Sequence, residues 1–210
     1  MSGAAGATGG SPEELIRVSA LLEFGLDDAQ RLTVATWTDP RDAPRLYVAR
    51  HADGFVIYPS AGLDLEVGRR LARTDPERLY SGEEVDRVLA AARPLERIEL
   101  EHGEFAPTAG SAPSPEVARH GNHFIDLRDG RPVSWAWTAR EHAKAASVAV
   151  ETVPEYRRQG RGTRVLSAWV VAVRARRKLP LEAHAVDDVA AGALARAGGA
   201  TPFARSVRYL

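Results

Sequence analysis

The run Arg157-Arg158-Gln159-Gly160-Arg161-Gly162 constrains this chain more than any other stretch, because of what lies on either side of it. Before it, residues 145–152 are small and apolar, with Val148, Val150 and Thr152 alternating against Ala149 and Glu151, which reads as a strand. Pro154 ends that strand by removing a ladder donor. After it, Leu166, Trp169, Val170 and Val173 recur at helical spacing, so a helix is expected from about Thr163. Arg174, Arg176, Arg177 and Lys178 crowd its expected last turn, where cations complement the helix dipole, and Leu179-Pro180 stops it. A strand that turns into a helix through closely spaced glycines leaves backbone N–H groups aimed at one point. That is a cradle for a phosphate or pyrophosphate. The run is not a P-loop, which needs Lys and then Ser or Thr after its last Gly, where Thr163 and Arg164 stand here. Nor is it a dinucleotide fingerprint, which has a third glycine.

With Arg157, Gly160 and Gly162 in place, the run resembles motif A of the GNAT superfamily of N-acetyltransferases: Arg or Gln, two residues, Gly, one residue, then Gly or Ala. The segment from Val150 through Pro154 and Tyr156 to Arg157 is similar to the family's strand ending, with Pro and an aromatic before the basic residue. What surrounds it fits. Residues 124–127 and 133–138 flank Asp129-Gly130, a hairpin signal. Residues 181–185 read as a strand. Asp187 or Asp188 caps a helix over 189–197, Gly198-Gly199 stops it, and residues 203–209 close as a strand. The resemblance covers residues 121–210, somewhat under half of the chain. The expected fold class is α/β with a mixed (α+β) sheet, a GNAT acyltransferase fold occupying the C-terminal half.

The N-terminal half carries weaker patterns. Helices are expected over residues 12–24 and 63–73, and strands over 32–37 and 97–101. Residues 46–49 and 55–58 bracket Asp53-Gly54, a second hairpin signal. Ser81-Gly82-Glu83-Glu84 reads as a capping box opening a helix to Ala92. The expected organisation is a disordered tail over 1–10, an N-terminal α/β region over 11–105, a Pro/Ala/Ser/Gly-rich linker over 106–116 and an acetyl-CoA-binding domain over 117–210. The paired Asp-Gly hairpins suit a degenerate GNAT-like repeat in the first half, and they suit coincidence equally well.

The resemblance implies direct acetyl transfer from acetyl-CoA to an amine of a small molecule or protein, without a metal. The backbone of Gln159, Gly160, Arg161, Gly162 and Thr163 would hold the pyrophosphate, and the helix start adds about half a positive charge. The Arg157, Arg158, Arg161 and Arg164 side chains are further phosphate contacts. The family splays the glycine-loop strand from the next one, so free backbone groups of Val150 and Thr152 would pair with the pantetheine arm as an added strand does. Deprotonating a lysine-like amine costs roughly 4–5 kcal/mol at pH 7, and an α-amino group about 1 kcal/mol, so the need for a base depends on the acceptor. Glu151 and His184 are the catalytic candidates, with Glu182 behind them. The family often carries a Tyr that protonates the leaving thiolate; Ala195 stands at the matching position. A catalytically degenerate acyl-CoA-binding domain, acting as a sensor or interaction module, is the alternative.

Composition narrows the classes. Lys+Arg 28 balances Asp+Glu 28, so no general attraction to nucleic acid is expected. With Cys 0 there is no disulfide, thiolate metal site or cysteine nucleophile. No run approaches the ~18 apolar residues of a membrane span, and the opening residues do not read as a signal peptide. A cytoplasmic protein is expected, and a homodimer is allowed. His120 and His123 need further ligands to hold a metal. Trp135 and Trp137 share a strand face, as core or as the wall of an acceptor cleft.

Overall fold

The computed structural model describes residues 10–33, 44–91, 95–106 and 116–210. Helix α1 (Pro12–Glu23) opens at Ser11, whose hydroxyl accepts from the Glu14 amide. Two short strands follow, β1 (Gly25–Leu26) and β2 (Leu32–Thr33), paired with each other. Of the strand expected over 32–37, only Leu32 and Thr33 lie within the described residues. The first hairpin is β3 (Leu46–His51) and β4 (Gly54–Pro59). Three short helices come next, α2 (Leu65–Leu71), α3 (Pro76–Ser81) and α4 (Val85–Val88), and then strand β5 (Arg97–Phe105). The C-terminal part runs β6 (Val117–His120), β7 (His123–Arg128), β8 (Arg131–Glu141) and β9 (Ala145–Thr152). It continues as α5 (Arg161–Ala175), β10 (Leu179–Ala185), α6 (Val189–Ala197) and β11 (Ala200–Tyr209).

The capping box expected at Ser81 is corrected. Ser81 ends α3 rather than starting a helix, and Gly82 at φ 90° is its left-handed stop. The next helix starts three residues later, lasts four residues and has no side-chain cap. The pattern of Ser and two glutamates was present, but the glycine inside it takes the one conformation that breaks a helix. The cation-rich last turn is also corrected: α5 ends at Ala175, so only Arg174 lies in it. Arg176 and Lys178 instead both reach Glu141 on β8. The residues expected as tail and linker, 1–9 and 107–115, lie outside the described residues.

Nine strands form one mixed sheet in the order β4-β3-β11-β5-β10-β9-β8-β7-β6. Every neighbouring pair is antiparallel except β9 and β10. Strands from the two ends of the sequence are interleaved. β5 lies between β10 and β11, and β11 lies between β5 and β3. The hydrophobic cluster under α2–α4 therefore contains Val207 and Tyr209 from the end of the chain together with Leu46, Val48, Leu79 and Val88.

The period-2 alternation of each strand decides which face it offers to which helix. On one face, Ile16, Ala20 and Phe24 of α1 meet Tyr47, Ala49 and Ala204, and Val18 and Leu22 meet Ala145 and Leu181. On the other, Val165, Leu166, Trp169, Val170 and Val173 of α5 meet Phe105, Phe124, Ala136 and Ala146. The α1 face also holds a polar core. His102 Nδ1 lies 3.0 Å from Ser19 Oγ and its Nε2 2.7 Å from Ser206 Oγ. Burial keeps this imidazole neutral, its pKa pushed down to about 3.

Candidate functional site: the glycine loop and the strand gap

Between β9 and α5 the chain makes a single turn of 3-10 helix over Pro154–Tyr156, then an extended Arg157, Arg158 at φ 58° and Gly160 at φ 73°. The loop is braced by its own side chains. Arg157 Nε donates to the Thr152 carbonyl at 3.1 Å, and Gln159 Nε2 donates to the Glu155 carbonyl at 3.1 Å. The helix starts at Arg161, two residues before the expected Thr163, and its first bond runs from the Arg164 amide to the Gly160 carbonyl. The amide hydrogens of Gly160, Arg161, Gly162 and Thr163 have no acceptor among the described residues. No side chain among the described residues caps this helix, whereas Ser11, Asp64, Asp75 and Asp188 cap α1, α2, α3 and α6. A Cβ at Gly160 would meet nothing within 4 Å, so the loop is open on that side of Gly160. Gly162 is small for another reason. A Cβ there would come within 3.3 Å of Leu194 and 3.4 Å of Thr152 Oγ1, so it lets α5 approach β9 and α6.

The expected arginines divide. Arg157 and Arg158 are exposed beside the loop. The Arg161 side chain turns away from it: Nη1 lies 3.0 Å from Asp126 Oδ1, and the guanidinium covers the Tyr156 ring at 5.3 Å. Arg164 is held by Asp126 and Glu116. Asp126 is fully buried, so its carboxylate needs that positive charge more than solvent-exposed phosphates do. Arg161 can thus serve the cradle through its backbone only. Asp126 gave no signal in the sequence beyond its place on an alternating strand.

The next strand does splay. β9 and β10 pair only at Leu179↔Ala145, Pro180↔Ala146 and Leu181↔Ser147. Among the described residues, β9 from Val148 onward has β8 on one edge and no strand on the other. The Val153 amide bonds to Val133 on the β8 side, so by alternation the groups of Val150 and Thr152 point into the gap. Arg157 already occupies the Thr152 carbonyl, which leaves the Thr152 N–H and both Val150 groups.

The two catalytic candidates sit on opposite faces of the sheet. Ala145 packs under α1 and Ala146 under α5, so Glu151 belongs to the α1 face, where it is exposed and lies opposite Trp135. Trp137 shares that face, stacks on His123 at 5.9 Å and borders a cleft of about 510 Å³ with Ala139, Arg140 and Glu141. His184 lies on the other face, beneath Gly192 of α6. Its Nδ1 is 2.8 Å from Glu182 Oε2. Burial pushes the Glu182 carboxyl above the usual carboxylate range, and the His184 contact opposes this. Ala195 is buried in α6. The described residues contain no group of three or more metal-binding side chains and no helix long and apolar enough to cross a membrane.

No protein-family model matches the chain, and no curated protein sequence does. Solved structures do. A GNAT-family acetyltransferase from Colwellia psychrerythraea superimposes over 97% of this chain and 98% of its own, at 9% identity and a TM-score of 0.51. A GCN5-related N-acetyltransferase from Kribbella flavida matches over 97% and 96%, at 15% identity and a TM-score of 0.48. A GNAT-family protein from Novosphingobium aromaticivorans matches over 56% of this chain and 66% of its own, at 18% identity and a TM-score of 0.49. The Colwellia match takes in the N-terminal half as well as residues 121–210. An open helix start, a splayed parallel pair and this superposition lead to one statement: the chain has the fold of the GNAT acetyltransferases.

Proposed function

We propose that this chain is an N-acetyltransferase that moves an acetyl group from acetyl-CoA to an amine of a small molecule or a protein, by direct attack of the amine on the thioester. The observation that carries the reading is the conjunction of an uncapped α5 with a strand gap beside it. The amides of residues 160–163 have no acceptor among the described residues and suit a pyrophosphate, which the helix dipole also favours. The exposed Arg157 and Arg158 add charge at the same rim. The Val150 groups and the Thr152 N–H can bond a pantetheine arm laid between β9 and β10. An N–H in that gap is also placed to stabilise the oxyanion of the tetrahedral intermediate. The reaction as proposed needs no metal and takes place in the cytoplasm. Its partner is the amine acceptor, with no nucleic acid or membrane, and the reaction as proposed is open to a monomer or a homodimer.

Buried Ala195, where a GNAT Tyr would protonate the thiolate, favours one second reading, an acyl-CoA-binding domain without turnover. CoA release followed with a thiol reagent over a panel of amines separates the two. Acetyl-CoA-dependent release with at least one amine class is the expected result. Tight acetyl-CoA binding with no release on any amine would leave the silent domain.

A further inference from the structure

We propose that Glu182 and His184 form the proton-accepting pair of this site, with His184 Nε2 taking the proton from the attacking amine and Glu182 orienting the ring. The inference rests on the acetyltransferase reading and names the group that serves it. β10 leaves β9 after Leu181, so Glu182 and His184 are the next two residues on the helix-α6 face at the open end of the gap. Both are nearly buried, each side chain 9% exposed, and they touch at 2.8 Å. A carboxylate accepts only, so Nδ1 carries the shared proton and Nε2 presents its lone pair.

Two glycines make room for the pair. Gly103 lies across from Glu182 on β5, and a Cβ there would be 2.5 Å from Glu182 Oε1. A Cβ on Gly192 would be 2.9 Å from His184 Nε2. The same helix reaches the glycine loop through Leu194, which a Cβ on Gly162 would approach to 3.3 Å, so α6 spans from the cradle to the imidazole. Several charged groups face the ring: Glu182 on its own strand, Glu101 of β5 with its oxygen 3.9 Å from Nε2, and Arg205 of β11, bonded to Glu101. Arg196 of α6 lies beside Gly192, and buried His102 is on the opposite face of β5. Glu151 has no comparable partner among the described residues and lies on the other side of the sheet.

In the reaction the amine nitrogen forms its bond to the acetyl carbon and gives one proton to Nε2. The C–S bond then breaks, and the thiolate takes that proton from Nε2–H. The ring ends the cycle neutral, and Ala195 need not be an acid.

The test measures kcat/KM against pH for the best amine, together with acetyl-CoA affinity and melting temperature, on the full chain. His184→Ala should lose about 100-fold or more, and added imidazole should restore part of it. Glu182→Gln should lose roughly tenfold and shift the acidic limb of the profile, which a purely structural role would not move. Gly192→Ala should melt no lower, because Ala is the better helix former, yet lose about tenfold as its methyl displaces the ring. Acetyl-CoA affinity should hold in all three. Parental turnover in His184→Ala or Gly192→Ala overturns the pair, as does failure of imidazole to restore any rate. A parent chain that binds acetyl-CoA but acetylates nothing overturns the transferase reading itself.

Discussion

The two Asp-Gly hairpins of this chain lead into regions that could hardly differ more. Asp129-Gly130 makes a two-residue turn with both residues at positive φ, 51° and 75°, the twist that suits antiparallel strands. At Asp53-Gly54 the turn residues are Ala52 and Asp53, and Gly54 already pairs with His51 as the first residue of β4. Downstream of the first hairpin, α2 and α3 start at Asp64 and Asp75, whose carboxylates accept the Val67 and Glu77 amides. Downstream of the second, α5 starts at Gly160 with no side chain to do this. A capped helix start has spent its amides and repels an anion, whereas an uncapped one keeps both its donors and its field. Among the described helices of more than four residues, only α5 lacks a side-chain cap, and that sets the C-terminal wing apart from the N-terminal one.

Cutting the chain between 106 and 116 is the severest challenge to treating the wings as separate. Because β5 and β11 are each inserted between strands from the other segment, neither fragment should show a cooperative melt alone. Mixing the two should restore it, as read by circular dichroism. Independent melting of residues 117–210 would show that the interleaved sheet is not obligatory.

Gly160→Asp would give α5 the kind of cap that α2 and α3 have in the N-terminal wing. Asp supplies the missing cap, about 1 kcal/mol, and its strain at φ 73°, also about 1 kcal/mol, offsets that gain, while its carboxylate meets the pyrophosphate. The expected outcome by calorimetry is acetyl-CoA affinity reduced by about 100-fold or more, roughly 3 kcal/mol, with an unchanged melting temperature. Parental affinity would move the phosphate site elsewhere.

The most gradual effect belongs to the polar core that joins the wings. His102 binds a proton near 6.5 when unfolded and only near 3 in the fold. The unfolded chain therefore holds the extra proton between those values, and stability falls as pH drops through the window. The slope is at most about 1.4 kcal/mol per pH unit. Urea titrations from pH 7 to 4 should show it, flattened by one proton in His102→Gln.

Local features were legible where the pattern was long or the turn chemistry strict. β9 matched residues 145–152, and α6 matched 189–197 with Asp188 as its cap at 2.9 Å. The glycine loop was readable because two glycines between a strand and a helix leave few other conformations. Of the short helices after β4, α2 falls within the expected 63–73, but α3 and the start of α4 were not legible, since a helix of four to six residues depends on packing more than on propensity. The Arg161–Asp126 contact joins residues 35 apart across two elements, and no spacing rule reaches that far.

By itself the sequence determined that an apolar strand must turn through a flexible loop into a helix, because periodicity, Pro154 and positive-φ glycine act over a few neighbouring residues. Only the tertiary structure decided that β5 separates β10 from β11, that Arg161 faces Asp126, and that Glu151 and His184 lie on opposite faces. Strand alternation sets each face only relative to its neighbours. Which face meets α1 and which meets α5 and α6 follows from how apolar surface far apart in the chain is buried together.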